Sequence, residues 1–102
     1  MTLTDLEKTI AARKSATPDT SWTAKLLSQG VEKCAEKFGE EAIEAIIEAV
    51  KRDKAALTSE AADVLYHLLV MLAASDVPLS DVLAVLDARQ SQSGIAEKAA
   101  RK

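Results

Sequence analysis

At 102 residues the chain suits one domain, residues 1–102, and its 48% apolar content suffices for a core. A net charge of −3 excludes a general nucleic-acid binder, which needs a basic footprint. With only three aromatic residues, three glycines and two prolines, and little β-branched material at period two, helices are favoured over strands.

The chain opens Thr4-Asp5-Leu6-Glu7, which reads as a capping box with Thr4 at the cap. The helix it starts runs to about Lys14, with Leu3, Leu6 and Ile10 on one face. This N-terminus has no apolar core of a signal peptide. Residues Ser15 to Thr20 form a loop around Pro18-Asp19. A short helix follows, capped by Ser21 and ended by Gly30. Cys34 is single, so no internal disulfide forms, which fits a reducing cytoplasm; it reads as a packing residue.

A long helix is expected over Val31 to about Arg52. On its wheel Ile43, Ile46, Ile47 and Val50 fall in one apolar arc of roughly 100°, with Glu40 and Glu44 beside it. Glu36, Glu40, Glu44 and Glu48 form an i, i+4 ladder, a spacing in which like charges cost a helix about 0.2–0.5 kcal/mol per pair. Asp53 to Leu57 reads as a turn. The next helix is expected from about Thr58 to Ala74, apolar nearly all round and therefore central and buried. Its apolar run from Val64 is interrupted by His67 and is too short to span a bilayer. Ser75 to Pro78 breaks it. A further amphipathic helix starts at Leu79, with Leu79, Val82, Leu83 and Leu86 facing inward, and a polar tail follows Gly94. The fold class is therefore all-α, an antiparallel bundle of about five helices. Helices this apolar in so short a chain point to a core completed by a second copy.

Two acid pairs stand out, Glu41 with Glu44 and Glu60 with Asp63. Residues three apart share a helix face, so each helix aims a carboxylate pair in one direction. Acids on an apolar helix need partners, yet no Lys or Arg stands between Lys54 and Arg89. A hard divalent cation answers that need. Oxygen-only ligands suit Mg²⁺, or Mn²⁺, better than Zn²⁺. Such an ion orients phosphate oxygens and activates water, and Glu40 stands close enough in sequence to act as general base. No Gly-x-x-x-x-Gly-Lys loop is present, and one His on an apolar helix does not make a triad. A di-iron bundle would need Glu-x-x-His on two helices, and the chain has none. His67 reads as a core histidine, and Tyr66 and Trp22 as structural.

Lys37-Phe38-Gly39-Glu40-Glu41-Ala42-Ile43-Glu44, followed by Glu60-Ala61-Ala62-Asp63-Val64-Leu65-Tyr66-His67, resembles the phosphoribosyl-ATP pyrophosphatase family. That family belongs to the all-α NTP pyrophosphatase superfamily, with MazG and the all-α dUTPases. Ser21-Trp22-Thr23-Ala24-Lys25-Leu26-Leu27 is similar to its Ser-Tyr-Thr-x-x-Leu stretch, with Trp22 where Tyr is usual. Phe38 stands where a smaller aliphatic is common. Ser93-Gly94-Ile95-Ala96-Glu97-Lys98 looks like its ending, so the resemblance spans about residues 3–98.

The resemblance implies a cytoplasmic helical homodimer. It implies Mg²⁺-dependent hydrolysis of phosphoribosyl-ATP to phosphoribosyl-AMP and pyrophosphate, the second step of histidine biosynthesis. Carried over, Glu41, Glu44, Glu60 and Asp63 match the metal-binding acids. Glu40 matches the extra acid and, with Glu41, the catalytic carboxylates. Lys37, Thr23 and Lys25 match substrate contacts. The rival readings are a housecleaning NTP or dNTP pyrophosphatase and a non-catalytic helical dimerisation module. All but the last take a small nucleotide, and none takes nucleic acid or a membrane.

Overall fold

The computed structural model describes residues 1–90, and five helices occupy them: α1 (Leu3–Arg13), α2 (Trp22–Ser28), α3 (Val31–Lys51), α4 (Lys54–Ala74) and α5 (Leu79–Gln90). Among the described residues there is no strand. The tail that resembles the family's ending lies outside them.

The first cap sits two residues earlier than the sequence suggested. The Thr2 hydroxyl accepts from the Asp5 N–H at 3.0 Å, and the Asp5 carboxylate accepts from the Thr2 N–H. Thr4 and Glu7 could have formed the same box, but Glu7 has a distant task. Its carboxylate accepts the Leu79 N–H at 2.7 Å, satisfying one of the free amides at the start of α5. Ser21 caps α2 as expected, accepting from the Ala24 N–H at 3.1 Å. Gly30 follows the last turn of α2 and also opens α3, with φ 93° and ψ 172°. A side chain is strained in that backbone conformation, so glycine suits the position.

Only Arg52 and Asp53 separate α3 from α4, so the two helices run antiparallel as a tight hairpin. Arg52 takes the left-handed conformation at φ 61° and closes α3. The Asp53 carboxylate accepts from the Ala56 N–H at 3.0 Å and caps α4. That cap explains why α4 begins at Lys54, a turn before the expected Thr58.

α3 does not turn its isoleucine arc toward α4. Its inward residues are Cys34, Phe38, Glu41, Ala42, Ala45 and Glu48, buried or half-buried. Ile43, Ile46, Ile47 and Val50 are left exposed, Val50 at 77%. The small Ala42 and Ala45 allow close helix approach, which favours this face over the bulkier one.

α4 is central but not buried all round. Packed against α1, α2 and α3, it buries His67, Leu69 and Val70 in its C-terminal half, whereas Leu65 is exposed. The core joins these to Ile10, Leu26, Cys34 and Leu79. Cys34 fills the packing role expected of it, with its thiol against the Leu26 carbonyl at 3.4 Å. By length and composition alone α4 could cross a bilayer, contrary to the limit set by its apolar run, but it carries Glu60 and Asp63.

α5 departs most from expectation. Leu79 is buried, but Leu83 and Leu86 are exposed, because α5 leans away from the other helices. The radius of gyration is 15.7 Å, where a compact chain of 100 residues has about 13 Å.

Candidate metal centre

Antiparallel pairing of α3 and α4 brings the two acid pairs face to face. One ligand oxygen from each of Glu41, Glu60 and Asp63 lies within 4.8 Å of the others. Glu44 joins the group, its charge bearing on both Glu41 and Glu60. Glu41 and Glu60 are half-buried, and Asp63 faces solvent.

The electrostatics record the crowding. The Glu41 carboxyl is pushed up to about 7, first by burial, then by its hydrogen bond to Glu44 and the charges of Glu44, Asp63 and Glu60. Glu60 is raised for the same reasons, with its hydrogen bond to Glu41 acting the other way. One Glu60 oxygen is buried without a hydrogen-bond partner. The nearby lysines are otherwise engaged: Lys37 pairs with Glu40 at 3.6 Å and Lys51 with Glu48 at 3.4 Å. Among the described residues no ion pair reaches Glu41, Glu44, Glu60 or Asp63. Four converging carboxylates, an unpartnered buried oxygen and no neutralising cation fit a hard divalent ion.

The remaining candidates divide. Lys37 lies one turn before Glu41 on α3 and Glu40 immediately before it, and the charges of both act on His67. The Thr23 hydroxyl is hydrogen-bonded to the Tyr66 hydroxyl, which ties α2 to α4 one turn beyond Asp63. Lys25 is not at the cluster. It lines a separate cleft with Trp22 on the outer side of α2.

His67 is buried as expected of a core histidine, but its Nδ1 has no partner. Burial, then the Lys37 charge, pushes its pKa down despite Asp63 and Glu40. Its ring meets the Tyr66 ring edge-on, with centroids 4.9 Å apart. Two residues escaped the sequence reading. Glu48, one turn beyond Glu44, also turns inward with a buried oxygen. Its place in the i, i+4 ladder was the signal. Trp22 is 53% exposed and so is not a core residue.

The chain is similar to known proteins over nearly its whole length. Residues 3–90 match the family model described as phosphoribosyl-ATP pyrophosphohydrolase. The chain is 77% identical over 99 residues to the phosphoribosyl-ATP pyrophosphatase of Ruegeria sp. (strain TM1040), covering 97% of this chain and 94% of that protein. It is 75% identical over 99 residues to the enzyme of that name from Dinoroseobacter shibae, covering 97% of each. For the Paracoccus denitrificans protein of the same name the identity is 74% over 97 residues, covering 95% of this chain and 90% of that protein. A match running from the first helix to the last, with relatives about three-quarters identical along nearly their whole length, makes the chain a member of the phosphoribosyl-ATP pyrophosphohydrolase family.

Proposed function

We propose that this chain hydrolyses phosphoribosyl-ATP to phosphoribosyl-AMP and pyrophosphate, with a divalent cation, Mg²⁺ or Mn²⁺, held by Glu41, Glu44, Glu60 and Asp63. The observation that carries the metal is the carboxylate cluster with its buried, unpartnered Glu60 oxygen. The substrate comes from the family and from relatives that bear the enzyme's name.

When bound, such an ion polarises phosphoryl oxygens, stabilises charge on departing pyrophosphate and lowers the pKa of a ligated water. The protein's own part is positioning and proton transfer. Glu40, exposed and next to Glu41 in the chain, takes the proton of the attacking water as general base. Lys37, half-buried beside it, supplies positive charge to the phosphates. Glu41 serves as a ligand to the cation. Water adds its oxygen to phosphorus, the bridging P–O bond breaks, and pyrophosphate leaves with that bridging oxygen. The place of action is the cytoplasm, where a biosynthetic nucleotide would be met.

The test is pyrophosphate release from phosphoribosyl-ATP, with and without Mg²⁺, beside a panel of NTPs and dNTPs. Mg²⁺-dependent release from phosphoribosyl-ATP alone is expected. Rapid turnover of dNTPs with none of phosphoribosyl-ATP would transfer the same site to the housecleaning reaction.

The active form is a homodimer in this reading. Ile43, Ile46, Ile47 and Val50 present a continuous apolar face on α3 that the chain itself does not cover. A second copy burying its own isoleucine face there removes both from water. Sedimentation velocity is expected to show a dimer, and Ile46→Glu a monomer. A wild-type monomer at micromolar concentration rejects the dimer.

A further inference from the structure

His67 is the chain's sole histidine and, among the described residues, the only polar side chain in the core, 6% exposed. Its Nδ1 is enclosed and has no hydrogen-bond partner. An enclosed nitrogen left unpaired costs the fold free energy that an apolar side chain of similar size would not. The ring is well seated. It meets the Tyr66 ring edge-on, and the Tyr66 hydroxyl is hydrogen-bonded to Thr23 of α2. The imidazole is thus held in place with one nitrogen unused, and no step of the reaction above employs it.

The layer of the hairpin in which His67 sits holds a partner for that nitrogen. α3 and α4 run antiparallel, so a step toward the N-terminus of α3 matches a step toward the C-terminus of α4. Lys37 stands four residues before Glu41, and His67 four residues after Asp63. Both therefore lie one turn from the carboxylate cluster, on the same side of it. The electrostatics agree, for the charges that act on His67 include Lys37 and Glu40 from α3 and Asp63 from α4 itself. The Lys37 side chain is three-quarters buried and has three N–H groups to place. Its contact with Glu40 is 3.6 Å, longer than a hydrogen bond. An ammonium short of acceptors and an imidazole nitrogen short of a donor share one layer.

We propose that His67 is a positioning residue for Lys37: its Nδ1 lone pair accepts one N–H of the ammonium and aims the other two at the substrate's phosphates, which releases Glu40 from its ion pair. This rests on the hydrolytic reading above and adds how the base is set free. A carboxylate paired with an ammonium is a weaker base, because the neighbouring charge favours its ionised form. Moving Lys37 onto Nδ1 and the phosphates returns that basicity to Glu40 for the proton of the attacking water. The ring proton sits on Nε2 in this arrangement, and His67 neither gains nor loses a proton. Burial, then the Lys37 charge, holds the His67 pKa below its ordinary value, which favours the neutral, accepting ring.

Two measurements on the full-length protein test this. The first reads the ring itself, since one histidine gives one pair of imidazole ¹⁵N signals. At about pH 8 the Nε2–H tautomer is expected. Adding Mg²⁺ with pyrophosphate is expected to shift the Nδ1 signal in the wild type and to leave it in place in Lys37→Met. A ring protonated on Nδ1, or an Nδ1 signal that responds equally with and without Lys37, overturns the proposal. The second measurement is turnover of phosphoribosyl-ATP with Mg²⁺. His67→Leu is expected to lower kcat about ten- to hundredfold, the worth of a hydrogen bond to a charged group. Its melting temperature should hold or rise, since an apolar side chain replaces an unpaired one. His67→Asn, whose amide group stands near the place of Nδ1, is expected to recover most of the rate. In a Lys37→Met background His67→Leu is expected to cost little more, because His67 acts through Lys37. The full cost in that background, or a wild-type rate in His67→Leu, assigns His67 to the core alone and leaves the hydrolytic reading standing. If the wild type itself fails to turn over phosphoribosyl-ATP, it is the hydrolytic reading that falls, and the nitrogen signals then judge the Lys37 contact by themselves.

Discussion

Replacing Glu41 by Gln or Asp63 by Asn is expected to abolish pyrophosphate release while making the metal-free protein harder to melt. Both changes keep the size of the side chain and remove its charge. A metal's stabilisation of developing phosphate charge is worth several kcal/mol, so losing a ligand lowers kcat/KM at least about a hundredfold. Stability moves the other way because the folded chain no longer holds four carboxylates together. Glu41→Gln should gain more than Asp63→Asn, since Glu41 is half-buried and Asp63 is exposed. Melting temperature in EDTA and pyrophosphate release in Mg²⁺ read the two effects. Full activity in both variants would show that these acids are no more than a solvated face.

The second large effect is the dependence of stability on pH and metal. The Glu41 carboxyl titrates at about 7 in the folded chain, against an ordinary value of 4.5. Between those values the native state holds a proton that the unfolded chain has released. Stability from this group is therefore present below about 4.5 and lost as pH rises toward 7. His67 acts oppositely: its lowered pKa means that its contribution is lost as pH falls. Comparison with Glu41→Gln separates the two, since His67 titrates in both proteins. The stability advantage of the variant in EDTA should grow with pH and level off above about 7.

Mg²⁺ reverses the trend, because ligands must be deprotonated to bind and the cation's stabilisation grows with pH. At a hundredfold excess over Kd it is worth about 2.7 kcal/mol. That corresponds to roughly 10–20 °C in Tm for a domain of this size. Melting curves from pH 5 to 8, with Mg²⁺ and with EDTA, should diverge as pH rises. Parallel curves would contradict a cation site at these acids.

The four acids were legible in the sequence because two constraints coincide on them. Helical spacing puts each pair on one face, and the absence of Lys and Arg from α4 beyond its first residue, Lys54, leaves Glu60 and Asp63 no cationic neighbour within a turn to neutralise them. The inward face of α3 was not legible. Its wheel carries two candidate faces, the isoleucine arc and the narrower strip of Cys34, Phe38, Ala42 and Ala45. Periodicity finds the larger apolar face but does not say whose core it joins. The first cap was missed for a similar reason: Thr2 and Thr4 are chemically equivalent, and the choice between them goes with a contact from Glu7 to Leu79, far along the chain. The residue type of Trp22 points to a structural role, and only its exposure corrects that. The pattern of α5 is that of an amphipathic, inward-facing helix, and nothing in its own sequence says that the helix leans away after Leu79.

The short link at Arg52 and Asp53 also fixes the phase of the two acid pairs. Each residue inserted into a helix turns everything beyond it by about 100° and shifts it by 1.5 Å. An insertion between Glu44 and Lys51, or between Lys54 and Glu60, would rotate one pair out of opposition to the other while leaving every acid in place. The same residue inserted in the loop before Ser21 would leave that opposition untouched. The stretch from Glu44 to Glu60 is thus a measured spacer, in which length matters more than the identity of the residues that fill it.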